Sequence, residues 1–245
     1  MLVWWRILIL VVASYCMGNI SFARTMASSR HMDITTKGSG NPGTMNVVRT
    51  MGWKFGLFTL LLDVAKAVIP CVLGCLFLEY PNMSSLPGVY IAGLSTIVGH
   101  MFPVFHRFKG GKSVASAIGV FLAADWRFAL GAIAIALLIF LLFRYGSVAS
   151  LCCIFMMTVV EYLKFFVFDF EPSDALLLAA PATKDQILLA ILLGVMTALI
   201  FFAHRENLKR LFEGRERRME DLQFDKTADS GTESGARSDN DSPDK

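Results

Sequence analysis

LVWWRILILVVASYCMGNI, residues 2–20, is a nearly unbroken apolar run at the start of the chain. Its length suits a helix that crosses the roughly 30 Å hydrocarbon core of a bilayer, which takes about 20 residues. A shorter apolar segment lies at 113–124, and longer runs occupy residues 54–78, 87–105, 128–143, 146–168 and 186–203. This repetition indicates a protein that crosses the membrane several times.

The composition favours the same fold class. Of the 245 residues, 55% are hydrophobic and only 18% are charged, which is too apolar for one soluble domain of this length. In lipid each backbone polar group must be paired inside its own element, and these runs are too long and unalternating for barrel strands. We therefore predict an all-α, polytopic membrane helical bundle.

The charges of the connecting segments predict how the chain is oriented. Lysine and arginine accumulate in the cytoplasmic loops of membrane proteins. The basic connections are 21–54, 106–112 and 204–218, and the acidic connections are 79–86 and 169–185. If the short segment 113–124 is counted as a span, the chain has seven transmembrane helices, and its basic connections lie inside and its acidic connections outside. The N-terminus is then outside and the C-terminus is cytoplasmic.

The last residues differ in composition from the rest of the chain. Residues 219–245 hold eight acids and three bases among Ser, Gly and Thr, which predicts a disordered acidic tail after a membrane-embedded domain at 1–218. The remaining net charge of +8 on residues 1–218 is explained by basic cytoplasmic loops, so we expect no nucleic-acid partner.

The cysteines and histidines show no spacing typical of a metal site. All five cysteines lie in apolar runs, where they are expected to pack as small hydrophobes. Neither the histidines nor the acids are spaced as metal ligands are. We therefore expect no metal and no cofactor.

Three polar clusters occupy the basic connections. They read KGSGNPGTMNVVR (37–49), GHMFPVFHRFKGGKSVAS (99–116) and HRENLKR (204–210). Glycines let backbone N–H groups approach an anion and neighbouring Lys and Arg supply charge, so the first two clusters have the composition of phosphate-binding loops. For the second cluster another interpretation stays open, a tight cytoplasmic turn whose basic residues attract anionic lipid.

Two common nucleotide-binding loops are excluded. Gly38, Gly40 and Gly43 have the spacing G-x-G-x-x-G, but no buried strand precedes them, as a dinucleotide-binding fold requires. The sequence GGKS at 110–113 lacks the upstream glycine of a P-loop, because residue 106 is His. The glycines therefore need another explanation.

Five other polar side chains are candidates for the site or its support. His100 and His204 lie beside the anion-binding clusters, which favours a functional role over a simple hydrogen-bonding anchor. Asp63 and Lys66 fall on one face of a helix and are expected to neutralise each other as structural support. Ser147 lies at the inner end of a span, where packing and site-lining interpretations both stay open.

The clusters together resemble the integral-membrane acyl-phosphate:glycerol-3-phosphate acyltransferase family of bacteria. The matching motifs are GSGNPGTMN with Arg49, then GHMFPVFHRFKGGK, then HRENLKRLFEG, with Asp63-x-x-Lys66 and Arg144-Tyr145-x-Ser147 between them, over about residues 10–216. The chain departs from the family at Thr44 and Met45, where Ala and Thr are common, and at Ser113 and Ser116, where Gly and Thr are common.

This resemblance implies transfer of a fatty acyl group from acyl phosphate to the 1-hydroxyl of glycerol 3-phosphate. The products are lysophosphatidic acid and phosphate, in phospholipid biosynthesis. It also implies a multi-pass protein of the bacterial inner membrane, surrounded by membrane lipid, with its active site at the cytoplasmic face. An acyl-phosphate-forming enzyme is a candidate partner.

The resemblance and the clusters together assign roles to particular residues. The implied catalytic residues are Ser39, Asn46, Arg49, His204 and Asn207. Glu206 joins Asp63 and Lys66 in the structural set. The expected substrate-binding residues are Gly38, Gly40, Asn41, Gly43, His100, Lys109, Gly110, Gly111, Lys112 and Ser147.

The expected mechanism is direct attack without an acyl-enzyme. An acyl phosphate is an activated donor, so the protein has to align the hydroxyl, neutralise the phosphates and stabilise the oxyanion, while the donor phosphate or His204 takes the proton. Two other classes stay open: a transporter or channel for a phosphorylated metabolite, and a structural or lipid-binding scaffold. The lack of an internal repeat argues against the transporter.

Overall fold

The computed structural model of the chain describes residues 3–78, 86–166 and 183–218. In these ranges every regular element is a helix, since an apolar run in lipid can pair its backbone groups within itself only in that form. The α-helices are α1 (Val3–Asn19), α2 (Phe22–Ser28), α3 (Thr44–Met51), α4 (Trp53–Phe77), α5 (Leu86–Met101), α6 (Val114–Phe143), α7 (Gly146–Phe166), α8 (Thr183–Ala203) and α9 (Arg205–Phe212), and a short 3-10 helix lies at Val104–His106. The predicted all-α membrane bundle is confirmed.

Within the described residues, six helical stretches are long and apolar enough to cross a membrane. The longest, α6, leaves helical geometry at Asp125, where φ is −155° and ψ is 96°. This kink separates the two predicted segments 113–124 and 128–143, but the part before it spans only ~16 Å, about half of a bilayer core. The count of seven crossings and the orientation of the termini stay predictions, and the acidic tail lies outside the described residues.

Helix α5 lies at the centre of the bundle. It packs against α1, α4, α6 and α8. Glycines let α1 and α5 touch: a Cβ at Gly18 would collide with the carbonyl oxygen of Thr96, and a Cβ at Gly99 would collide with that of Tyr15. Small residues allow such close backbone contact between membrane helices. The contact fixes the end of α5 that carries His100.

A buried ion pair lies in the interior near that end of α5. The side chains of Asp63 and Lys66 are both buried, and Lys66 Nζ lies 2.7 Å from Asp63 Oδ1. The same ammonium donates to the carbonyl oxygen of Ile20 at 2.6 Å and to His100 Nδ1 at 2.8 Å. The ammonium thus has one ion-pair partner and two hydrogen-bond partners, which offset the cost of burying its charge. The pair joins α4 to the end of α1 and to α5.

Replacing Lys66 by methionine is expected to lower the free energy of unfolding by about 3–5 kcal/mol, because Asp63 would stay buried without its partner. The thermal midpoint of the purified protein in detergent measures the loss. The double variant Asp63→Asn/Lys66→Met removes both charges and should recover most of the stability. A Lys66→Met protein that melts with the wild type would contradict the supporting role.

Candidate active site

Connections that are distant in sequence meet at one end of the bundle, which we call the site end. Arg24 Nη2 donates to the carbonyl oxygen of Lys109 at 2.8 Å, and Lys112 Nζ donates to Asn207 Oδ1. These contacts join the three basic connections of the sequence. The structure thus places the three polar clusters on one side, as the charge pattern predicts.

A cavity of about 530 Å³ lies at the site end, and we call it the central cavity. Twelve predicted residues line it: Ser39, Asn41, Gly43, Asn46, Arg49, Asp63, His100, Lys112, Ser147, His204, Glu206 and Asn207. A second cavity of about 750 Å³ shares Ser39 and Asn41 with it and is also lined by Gly40, Lys109 and Gly110. Gly38, Lys66 and Gly111 line neither cavity and act through their neighbours.

Asn46 holds the first loop in shape. Its buried Oδ1 accepts the N–H of Ser39 at 2.8 Å, and its Nδ2 donates to the carbonyl oxygens of Ile34 and Lys37, both at 3.1 Å. Gly38 has a φ of +58°, and a Cβ there would collide with Asn46 Oδ1, so only glycine suits the position. Because its amide is engaged within the loop, we infer that Asn46 positions Ser39.

The two glycines before Lys112 let the second loop pack against the end of α5. The N–H groups of Gly110 and Gly111 donate to the carbonyl oxygens of Met101 and His100, both at 3.1 Å. A Cβ at Gly110 would collide with the His100 carbonyl oxygen, and one at Gly111 with His100 Nε2. The glycine-rich sequence predicted that these N–H groups would face a phosphate. They are used inside the protein instead, because the loop must lie against α5 to direct Lys112 into the central cavity.

Lys112 is a cation with a perturbed pKa in the central cavity. Burial is the main cause and the charge of Arg210 the second; together, and against an opposing effect of Glu216, they lower the pKa of its amine to about 8. A cation in such surroundings is stabilised when an anion binds beside it. The amine is therefore suited to hold a phosphate, and the nearby Arg49 lines the same cavity.

His204 is presented as a neutral base. It lies between α8 and α9, and its buried Nδ1 is 2.8 Å from the carbonyl oxygen of Ile200. A carbonyl oxygen can only accept, so Nδ1 carries the proton and Nε2 keeps its lone pair. Burial lowers the pKa of the imidazole to about 4, although the Ile200 hydrogen bond opposes the change. The ring is therefore neutral at pH 7, with Nε2 as a proton acceptor that is a weaker base than in an ordinary histidine.

Glu216 is a site residue that the sequence analysis missed. Its Oε1 accepts from Ser147 Oγ and Asn207 Nδ2, both at 2.7 Å, and its Oε2 accepts from Arg210 Nε at 2.9 Å. Burial raises the pKa of this carboxyl, but these three hydrogen bonds outweigh burial, so the pKa lies below its usual value. The available signal was a carboxylate inside the basic run RERR.

Glu206 has different surroundings, although it was the glutamate expected to support the structure. Its side chain is 66% exposed and lies 3.9 Å from Arg205 Nε, whereas the side chain of Glu216 is 5% exposed. Exposed ion pairs contribute little to stability. The contacts of Glu216 are those typical of a supporting carboxylate.

The two glutamates provide a direct stability test. Glu216→Ala is expected to lower the free energy of unfolding by about 2–3 kcal/mol, because buried hydrogen bonds to a charged group are lost and their donors are left without partners. Glu206→Ala should change it by about 0.5 kcal/mol or less. Melting of both variants in detergent measures the difference. Equal losses in the two proteins would overturn the supporting role of Glu216.

The charges of the central cavity favour an anionic ligand. The lining has five cationic side chains against three carboxylates, of which Asp63 pairs with Lys66, Glu206 with Arg205 and Glu216 with Arg210. The five cations are Arg49, Lys112, Arg205, Arg210 and Arg217. Guanidinium and ammonium groups bind phosphate and carboxylate anions through charge-assisted hydrogen bonds. The described ranges contain no group of three His, Cys, Asp or Glu side chains that could hold a metal ion. The cavity thus combines an excess of cationic side chains with the neutral imidazole of His204.

Known sequences match almost the whole of the described chain. The family described as glycerol-3-phosphate acyltransferase matches residues 8–214. The glycerol-3-phosphate acyltransferase of Aquifex aeolicus strain VF5 is 36% identical over 213 residues, which cover 87% of this chain and 99% of that protein. The same enzyme of Geotalea daltonii is 34% identical, over 85% of this chain and 95% of that protein.

Solved structures match the fold as well. A crystal structure of PlsY (YgiH), an integral membrane glycerol 3-phosphate acyltransferase, in its glycerol 3-phosphate form has a TM-score of 0.73 and 33% identity, covering 86% of this chain and 94% of that one. The lysophosphatidic acid form has a TM-score of 0.69 and 34% identity. Since sequence family, helical fold and an anion-binding site at one end of the bundle all agree, the chain belongs to the glycerol-3-phosphate acyltransferase family of integral membrane proteins.

Proposed function

We propose that this protein transfers a fatty acyl group from an acyl phosphate to the 1-hydroxyl of glycerol 3-phosphate. The products are lysophosphatidic acid and inorganic phosphate. The carrying observation is the pairing of a neutral buried histidine, His204, with a buried cation, Lys112, in one cavity. Family membership supports glycerol 3-phosphate as the acceptor, and the lysophosphatidic acid form of the related structure supports the product.

The reaction replaces the mixed anhydride bond of the donor by a carboxylic ester bond in the product. The acceptor hydroxyl oxygen forms a bond to the carbonyl carbon of the donor, and the bond from that carbon to the phosphate oxygen breaks. The hydroxyl proton passes to His204 Nε2 or to the departing phosphate. Phosphate is a good leaving group, so alignment and charge neutralisation can supply most of the acceleration.

Different side chains of the lining bind the substrate phosphates, orient the acceptor and take the proton. Lys112 and Arg49 neutralise the phosphate groups of the two substrates. Ser147 and Asn207 orient the acceptor, and Glu216 holds both in place through its two hydrogen bonds of 2.7 Å. His204 takes the proton when the hydroxyl attacks. Ser39 presents its hydroxyl where the two cavities meet.

Direct transfer is preferred over an acyl-enzyme. A serine nucleophile needs an adjacent base, whereas Ser39 Oγ accepts a hydrogen bond from the N–H of Asn41 at 3.4 Å. Mass spectrometry of the protein quenched during turnover tests this point. An acyl group trapped on Ser39 or on a cysteine would replace direct transfer by a two-step route.

We further propose that the site end faces the cytoplasm of a bacterial cell. The support is the concentration of Lys and Arg at this end, because such residues stay on the cytoplasmic side of a membrane protein. Both proposed substrates carry phosphate, and an acyl-phosphate-forming enzyme must supply the donor. Reaction of cysteines introduced at the site end with an impermeant reagent in inverted membrane vesicles tests this orientation.

Product formation tests the proposed function. Purified protein is incubated with palmitoyl phosphate and glycerol 3-phosphate, with palmitoyl-CoA as donor in a parallel reaction and the His204→Ala protein as control. Lysophosphatidic acid and phosphate in equal amounts from palmitoyl phosphate alone are expected. An equal amount of product from palmitoyl-CoA would refute the assignment of acyl phosphate as the donor. Uptake of glycerol 3-phosphate into sealed vesicles without any product would favour a transporter.

A further inference from the structure

Two buried histidines line the central cavity, and their Nδ1 atoms contact groups of opposite hydrogen-bonding character. His204 Nδ1 lies 2.8 Å from the carbonyl oxygen of Ile200, which can only accept. His100 Nδ1 lies 2.8 Å from Lys66 Nζ, and an ammonium can only donate. The ring of His204 therefore carries its proton on Nδ1, and the ring of His100 carries its proton on Nε2. Two histidines thus present opposite groups to one cavity.

The charge of Lys66 is fixed by its other neighbours. Its Nζ lies 2.7 Å from Asp63 Oδ1 and donates to the carbonyl oxygen of Ile20 at 2.6 Å. Both neighbours favour the ammonium form, because an opposite charge and a hydrogen bond stabilise a cation. An ammonium has no lone pair with which to accept a proton from His100. The imidazole of His100 is therefore held neutral, since a protonated ring would direct a second N–H at this cation.

The Nε2 atom of His100 is available to a ligand in the central cavity. It makes no hydrogen bond to another described residue, and it is not among the buried polar atoms that lack a partner there. Its nearest neighbour on one side is the backbone of Gly111. A Cβ at Gly111 would lie 2.3 Å from Nε2, so a glycine at this position leaves the ring nitrogen unobstructed.

The position of His100 suits the carbonyl group of an acyl phosphate better than its phosphate. Lys112 directly follows Gly111, and its charge also contributes to lowering the pKa of the His204 imidazole. Arg49 and Lys112 are half-buried, whereas His100 is only 7% exposed. The carbonyl carbon bears the alkyl chain and so lies on the less hydrated side of the phosphate. A donor whose phosphate contacts the two cations therefore directs its carbonyl oxygen toward the deeper histidine.

We propose that His100 Nε2–H donates a hydrogen bond to the carbonyl oxygen of the acyl donor, and that Lys66 is a positioning residue that holds the ring in this tautomer. This inference rests on the proposed function. When the acceptor oxygen bonds to the carbonyl carbon, an electron pair of the C=O bond moves onto the carbonyl oxygen, and it returns as the phosphate leaves. A fixed N–H stabilises that oxyanion without reorganisation, and a neutral imidazole can supply it. One histidine then accepts a proton while the other donates a hydrogen bond.

NMR spectroscopy of the wild-type protein tests the tautomers without turnover. The protein is labelled with ¹⁵N-histidine in detergent, and the ¹⁵N shifts distinguish protonated from unprotonated ring nitrogens. Single glutamine variants at His31, His106 and His204 assign three of the four rings and leave His100 by elimination. We expect Nε2–H at His100 and Nδ1–H at His204. A proton on Nδ1 of His100, or on both of its nitrogens, would overturn the inference whatever the activity.

Two substitutions of His100 test the role of its N–H in the reaction. His100→Asn is expected to lower kcat with palmitoyl phosphate by about 10²-fold or more, the effect of losing one oxyanion donor. His100→Gln should keep at least tenfold more kcat, because its amide N–H can reach the place of Nε2. The matched control is His31→Asn, since His31 is exposed and lies outside both cavities. Equal kcat values for the two His100 variants, or a raised KM with unchanged kcat, would remove the carbonyl contact.

The double variant Asp63→Asn/Lys66→Met separates positioning from structural support. Its thermal midpoint should recover, but kcat should stay at least fivefold below the wild type, because no ammonium holds the His100 ring. Recovery of kcat together with stability would show that Lys66 only supports the fold. A wild-type protein that forms no lysophosphatidic acid would refute the proposed function instead, and the NMR measurement would still decide the tautomers.

Discussion

Substituting alanine for His204 is expected to lower kcat for acylation of glycerol 3-phosphate by about 10²–10⁴, the range that a general base supplies. The reason is geometric, since Nδ1 is committed to Ile200 and leaves Nε2 as the free proton acceptor. Steady-state kinetics with palmitoyl phosphate in detergent measure kcat and the two KM values separately. The KM values should change little, because a neutral imidazole contributes little to phosphate binding.

This substitution also decides which group takes the proton. If the departing phosphate accepts it, His204→Ala will keep most of its kcat, and the general-base role of the histidine is wrong. His204→Gln controls for the size of the side chain and should be as slow as His204→Ala. The thermal midpoints of both proteins must match that of the wild type, since His204 also joins α8 to α9.

The second large effect is expected at Lys112. Lys112→Met should raise the KM for glycerol 3-phosphate roughly 10- to 150-fold, which corresponds to ~1.5–3 kcal/mol for a hydrogen bond to a charged group. The kcat at saturating substrate should change much less, because the cation binds the phosphate in both ground and transition states. Initial rates at varied glycerol 3-phosphate measure both values. An unchanged KM would remove Lys112 from the binding site.

The pH dependence provides a second readout for Lys112. A lysine is charged below its pKa, which is about 8 here, so kcat/KM for glycerol 3-phosphate should fall as pH rises through about 8. Lys112→Arg should move this fall to higher pH, because a guanidinium stays protonated throughout the range. Lys54→Arg is the control, since Lys54 is exposed and lies outside both cavities. A fall that stays near pH 8 in Lys112→Arg would assign the titration to another group.

Several features of the fold were readable from local sequence. The apolar runs predicted the membrane helices, and the three-residue spacing of Asp63 and Lys66 predicted their ion pair, now seen at 2.7 Å. Even the division of the long apolar region 113–143 was visible, because the polar Asp125 interrupts it at the kink. The family was recognised from the order of three motifs, and the comparisons confirm it.

Other features depend on contacts that no local pattern records. Gly110 and Gly111 looked like phosphate-binding glycines, but only the packing of their loop on α5 shows that their N–H groups are already used. Glu216 was missed because its partners Ser147 and Arg210 become neighbours only when the chain after α9 turns back toward α7.

Local sequence patterns were enough to predict the fold class, the grouping of the polar clusters at one end and the family. The reason is that hydrocarbon thickness and loop charge act on each segment independently of its neighbours. The packing of the helices was needed to show which polar side chains line one cavity and which carboxylate supports them. Hydrogen-bond partners and cavities arise between helices, so they depend on how the helices pack and not on the composition of any one of them.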